Sequence, residues 1–175
     1  MTSFAELHVP GDPLILPNAW DAVSGAALVA AAPQVALAAP HTLAAVPRPY
    51  LPVAVLAAAT GVADPVAAVA HTRVVASAYQ PGTDHEDADA ALAALIALLP
   101  DDEPEALAQH VALLVQACEA TAGLVRGDNL PVKATKRVTA DGEVIAVDLT
   151  GRPFGAGPRR CPGEAHALAL AEALR

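Results

Sequence analysis

The chain has 175 residues, room for one compact core, and 54% of it is hydrophobic against 17% charged, which excludes a disordered chain. A net charge of −9 excludes a nucleic-acid surface, because phosphate recognition needs clustered Lys and Arg. Only 3% is aromatic and much of the apolar content is alanine, so a bulky apolar ligand in the interior would supply burial that the side chains lack.

The N-terminal MTSFAELH lacks the basic-then-apolar order of a signal peptide. The alanine-rich run from Ala26 to Ala39 is interrupted by Pro33 and Gln34 and falls short of the roughly 20 apolar residues of a membrane span. Two cysteines, Cys118 and Cys161, make no disulfide framework. These features predict a cytoplasmic protein with no membrane partner. Frequent prolines (Pro10, Pro13, Pro17, Pro33, Pro40, Pro47, Pro49) break residues 1–50 into short pieces, leaving one helix from about Asp21 to Ala32. Phe4 to Leu28, FAELHVPGDPLILPNAWDAVSGAAL, resembles the opening of the phosphoenolpyruvate mutase and isocitrate lyase superfamily, notably in LPNAWDA. That superfamily is built on a (β/α) barrel of about 250 residues, and no repeating strand-helix units follow here. Residues 1–48 are therefore read as a short lyase-like remnant ahead of a domain spanning 49–175.

Helical patterns follow near residues 52–60, 64–79 and 86–99. The clearest predicted helix runs from Glu103 to Arg126, with Pro104 in its first turn and Gly127 closing it. Leu107, Val111, Leu114, Cys118 and Val125 form one stripe, and Glu105, Gln109, Ala112, Gln116, Glu119 and Gly123 the opposite one. The second stripe is a solvent face or the lining of a cavity. VKATKRVT and EVIAVDL, separated by Asp141-Gly142, predict a β-hairpin. A glycine-rich loop from Phe154 to Gly163 and a final helix from about Pro162 to Leu174 complete the chain. The basic residues concentrate late, in Lys133, Lys136, Arg137, Arg152, Arg159 and Arg160, as a site for an anionic ligand or acidic partner, or as a solvated basic strand.

The loop FGAGPRRCPG carries the chemistry. Gly155 and Gly157 let the backbone bend and approach a ligand closely. Pro162 suits a first helical position, which would put Cys161 at the helix start, where the dipole and free amides favour a thiolate. These residues resemble the haem-binding signature of the cytochrome P-450 family: Phe, two residues, Gly, one residue, Arg, one residue, Cys, one residue, Gly. Phe154, Gly157, Arg159, Cys161 and Gly163 occupy its five fixed positions. LLVQACEATAGLV (113–125) is similar to the oxygen-side helix of that family, LPVKATKRV (130–138) to a strand after its arginine-bearing helix, and PYLPVAVLAAATGVADP (49–65) to an earlier helical stretch. The resemblance implies a mainly α, truncated cytochrome P-450-like helical domain, with a small β-hairpin before the cysteine-bearing loop and a C-terminal helix. It also implies haem b (iron protoporphyrin IX) with Cys161 as the iron ligand, Phe154 beside the sulfur and Arg159 on a propionate. The implied reaction is monooxygenation of a small organic substrate, with electrons from a ferredoxin or flavoprotein reductase docked on Arg152, Arg159 and Arg160.

The chain departs from that family in several places. The family fold is more than twice as long, and only Arg126 to Asn129 stand where its Glu-x-x-Arg helix belongs. EALR at Glu172 to Arg175 follows the cysteine and reads as an ordinary helical ion pair. The family's proton-handling acid directly precedes a threonine, whereas here Ala120 separates the candidates Glu119 and Thr121. Residues two apart on a helix point about 200° from one another, so these two share a proton path only if the helix is kinked. The six histidines lack metal-ligand spacing. A non-catalytic remnant without a closed haem pocket is the alternative to an oxygenase, with a lyase-like protein as a further one.

Overall fold

The computed structural model describes residues 43–81, 86–129 and 131–174. The helix expected between Asp21 and Ala32 and the lyase-like stretch lie outside the described residues, as does Arg175. Two 3-10 turns, Leu43–Ala45 and Arg48–Tyr50, lead into helix α1, Leu51–Ala59, and α2, Pro65–Ala78. The start of α2 is written locally: Asp64 Oδ1 accepts from the amides of Val66 and Ala67 at 3.0 Å each, and Pro65 takes the first position, where its missing N–H costs nothing. Helices α3, Ala88–Ile96, α4, Pro104–Gln116, and α5, Glu119–Arg126, follow. Strands β1, Ala134–Val138, and β2, Val144–Asp148, form an antiparallel pair, and α6, Glu164–Leu174, ends the fold. This is a mostly helical chain with a small hairpin ahead of the cysteine loop, as expected at that level. No helix among the described residues is long and apolar enough to cross a membrane.

The main core lies between α1, α2, α3 and α4. Alanines at 54, 57, 68 and 76 let the helix axes approach, and Leu56, Leu95 and Leu114 are at most 1% exposed, so side chains fill this part of the interior. Val46, upstream of the expected boundary at residue 48, is buried in the same core. A smaller cluster joins Leu124 and Val125 of α5 to Ala171 of α6, with Phe154, Ala167 and Leu174 packed against it. Thr72 on α2 is fully buried, and among the described residues its hydroxyl finds no partner. An orphaned buried hydroxyl costs about 1–3 kcal/mol, so Thr72→Val is expected to raise stability by about 1 kcal/mol, read as a higher urea midpoint at unchanged slope.

The long helix expected from Glu103 to Arg126 is two helices. The chain leaves helical geometry at Cys118 (φ −81°, ψ −93°), and the amide of Ala117 still bonds the Leu113 carbonyl behind it. Before the break, α4 packs on the main core; past it, α5 serves both clusters, with Ala122 in the main core and Leu124 and Val125 against α6. Gly123, expected on the polar stripe, is buried against Pro131. Gly127 closes α5 as expected, at φ +81°, with Asp128 N donating to Gly123 O and Gly127 N to Leu124 O.

The hairpin turn is longer than the two-residue Asp141-Gly142 connection. Thr139 N donates to Glu143 O, Gly142 N to Thr139 O, and Glu143 N to Thr139 Oγ1, and of the two turn residues only Gly142 has positive φ. Helix α6 starts at Glu164 rather than Pro162, with the Gly163 carbonyl accepting its first bond from Ala167 N. Cys161 therefore stands two residues outside the helix cap, so the helix dipole reaches it more weakly than the sequence suggested.

Candidate functional site

The cysteine loop is built outward from the hairpin. Leu149 N extends the ladder to Lys133 O, and Asp148 Oδ1 accepts from Thr150 N at 2.8 Å and Thr150 Oγ1 at 2.7 Å. Those two bonds hold the Asp148 carboxyl below its usual pKa. Arg152 N then donates to Leu149 O and Gly155 N to Arg152 O, and a 3-10 turn, Gly157–Arg159, brings the chain back. Cys161 N donates to Phe154 O at 2.7 Å and closes the loop. Gly155 and Gly157 have φ of +74° and +61°, a region that residues with a Cβ rarely enter, and no atom lies within 4 Å of where a Gly157 Cβ would stand.

The five signature positions thus lie on one hydrogen-bonded loop. Phe154 is half-buried and packs onto Leu124, Val125 and Ala171, pinning the loop to α5 and α6. Gly163 is buried at the head of α6. Cys161 is a free, exposed thiol. Arg159 ends the 3-10 turn, and its side chain lies outside the described residues. Arg160 turns along α6 and pairs with Glu164, Nη2 to Oε2 at 2.6 Å. An exposed thiol on a short, tied loop can ligate a soft metal or a haem iron, since its sulfur needs no rearrangement of the core to be reached.

The distal candidates belong to a different cluster. Glu119, in the first turn of α5, accepts from Tyr50 Oη at 3.2 Å and lies 3.9 Å from Cys118 Sγ. The Arg73 guanidinium stacks over the Tyr50 ring, 4.3 Å from its centroid. Thr121 is buried one half-turn away, on another side of the helix from Glu119. The kink that a shared proton path would require occurs at Cys118, before both residues, and so does not bring them together. Among the described residues, no hydrogen bond or ion pair joins Glu119 or Thr121 to the cysteine loop. Tyr50 was not legible as the partner of Glu119, because the two lie 69 residues apart.

Burial pushes the Cys118 thiol up to about 12, with neighbouring Glu119 adding to the shift. At pH 8 it stays protonated and shielded, whereas Cys161 is open to solvent. Iodoacetamide at pH 8 is expected to add one label to the folded chain, at Cys161, and two to the unfolded chain; peptide mass mapping reads both sites.

His110 Nε2 lies 2.6 Å from Thr60 Oγ1, and burial lowers the pKa of the ring. No group of three or more His, Cys, Asp or Glu side chains able to share a metal ion occurs among the described residues. No protein-family model, curated protein or solved structure matches this chain.

Proposed function

We propose that this chain is a haem-thiolate protein of cytochrome P-450 type, in which Cys161 would hold the iron of haem b. The observation that carries this reading is the free, exposed Cys161 thiol on a loop tied by its own amide to Phe154. The donor set suits the group: one accessible sulfur, a loop anchored through Phe154, and an open backbone at Gly157 against which a flat ring can lie. Cys161 would hold the iron, and Arg159 would meet a propionate. Bound in this way, haem supplies oxygen activation, since thiolate donation favours cleavage of the oxygen-oxygen bond.

The chain's own part is to keep the sulfur exposed and fixed. The Phe154-to-Cys161 bond fixes the loop's span, and Phe154 resists its withdrawal from α5 and α6. Monooxygenation of a small organic substrate would further need a ferredoxin or flavoprotein reductase, for which the exposed Arg152 offers positive charge. The purified chain with added haem, reduced under carbon monoxide, is expected to show a Soret band shifted to about 450 nm. A band that stays where free haem absorbs rejects thiolate ligation.

A second reading, a non-catalytic remnant, is favoured by the engagement of Glu119 with Tyr50 and Cys118, away from the loop. Under that reading haem is either not retained or is bound without turnover. Single-turnover oxygen consumption by the reduced, haem-loaded chain separates a binder from an oxygenase.

A further inference from the structure

We infer that Asp141 is a self-modification site, where the exposed hairpin tip converts this aspartate to isoaspartate through a cyclic imide with the Gly142 nitrogen. The inference stands apart from haem binding.

Asp141 is the only aspartate in the chain followed by glycine, so here alone no side chain crowds the next amide nitrogen. The fold separates it further from the other aspartates. Asp64 is held by the amides of Val66 and Ala67, Asp128 by Arg126, and Asp148 by Thr150. Asp102 is the nearest rival, with Oδ1 2.8 Å from Glu103 N, but there the amide hydrogen lies between nitrogen and carboxylate, and the Glu103 side chain stands beside them. Asp141 is exposed, and among the described residues its carboxyl makes no hydrogen bond or ion pair. Beyond its chain neighbours, no atom lies within 4 Å of where a Gly142 Cβ would stand, so the approach is open.

The turn itself restrains the reaction. Gly142 N donates to Thr139 O at 3.0 Å, and the nitrogen reaches Asp141 Cγ only when that bond opens. Opening is local. The tip is closed by this bond, by Thr139 N on Glu143 O and by Glu143 N on Thr139 Oγ1, and the pair behind it, Val138 and Val144, is 57% and 64% exposed. Neither valine belongs to a core cluster, so the tip opens at a cost well below that of global unfolding.

In the open tip the Gly142 nitrogen adds to Asp141 Cγ. The N–Cγ bond forms as a Cγ–O bond breaks, and the oxygen leaves as water with the amide proton and a proton from solvent. Water then opens the imide on either side. Attack at Cγ restores Asp141; attack at the α-carbonyl breaks the original peptide C–N bond and leaves the backbone running through Cβ and Cγ, with a free α-carboxylate. The product has the mass of the starting chain and a backbone longer by a methylene, which shifts Gly142 N away from its place under Thr139 O.

The test holds the full chain at neutral pH and physiological temperature for several weeks. Trypsin then releases Val138–Arg159, since Arg152 precedes Pro153, and this peptide carries Asp141 and Asp148 together. It is expected to split into two forms of equal mass. An endoproteinase that cuts before aspartate should cleave both forms at Asp148 and only the original at Asp141. Thr139→Ala removes the acceptor of Glu143 N and is expected to convert severalfold faster, whereas Asp141→Glu, with a side chain too long for the same ring, is expected to give one form. Circular dichroism checks that both variants keep their helices. A single form from the wild-type chain overturns the inference, as does conversion at Asp102 or Asp148 in its place, or splitting that persists in Asp141→Glu. Conversion no faster in Thr139→Ala than in wild type overturns the opening of the tip as its gate.

Discussion

Replacing Cys161 by alanine is expected to abolish the shifted Soret band of the haem-loaded, carbon monoxide-bound chain while leaving the fold in place. The two halves of that result separate chemistry from stability. Cys161 is exposed, and its amide, which does the structural work of closing the loop on Phe154, survives the substitution. Exposed substitutions of this kind change stability by no more than about 0.5 kcal/mol, so the urea midpoint should hold. The band depends on the sulfur alone and is lost entirely, because alanine offers no donor. Cys118→Ala supplies the control. Its sulfur is fully buried and protonated, so the band should persist at wild-type position. Retention of the band in Cys161→Ala, or its loss in Cys118→Ala, sinks the assignment of Cys161 as ligand.

Gly123→Ala is expected to destabilise the fold by about 1–3 kcal/mol, read from urea unfolding followed by circular dichroism. The sign is the informative part. Gly123 lies inside α5, where alanine is intrinsically better than glycine by about 0.8–1 kcal/mol, so helix propensity alone predicts stabilisation. The tertiary contact opposes it. A Cβ at this position would stand 2.6 Å from Pro131 Cβ, 2.9 Å from Pro131 Cα and 3.2 Å from Asp128 Oδ2. Two of those are closer than carbon atoms tolerate, and Pro131 Cα is backbone, which cannot swing aside. Relief requires α5 to move from the segment that leads into β1, or the Schellman turn at Gly127 to open. A stabilised Gly123→Ala variant would mean that Pro131 yields freely and that this crossing contributes little to the fold.

Much of the helical layout is local and was therefore readable. Asp64 and Pro65 mark the start of α2, Pro104 that of α4 and Gly127 the end of α5, because each satisfies or removes a backbone group within a few residues of itself. The break at Cys118 was not readable, since the apolar spacing from Leu107 to Val125 is compatible with one continuous helix. Beyond the break the chain reaches a second cluster around Phe154 and Ala171 through Leu124 and Val125, while Ala122 stays in the one around Leu114. Gly123 misled for the same reason: its stripe is polar by spacing, yet Pro131 folds over it.

For the cysteine loop, the sequence by itself determined the order of residues, the glycines that bend the chain, and the presence of one thiol in a Phe-to-Gly signature, because spacing within ten residues is a local property. Only the tertiary structure decided that the Cys161 thiol is exposed and two residues short of its helix, that Phe154 anchors the loop, and that Glu119 turns to Tyr50 instead of joining Thr121. Those outcomes rest on contacts between residues far apart in the chain, as between Tyr50 and Glu119 or Lys136 and Ala78, and such contacts exist only once the helices have packed.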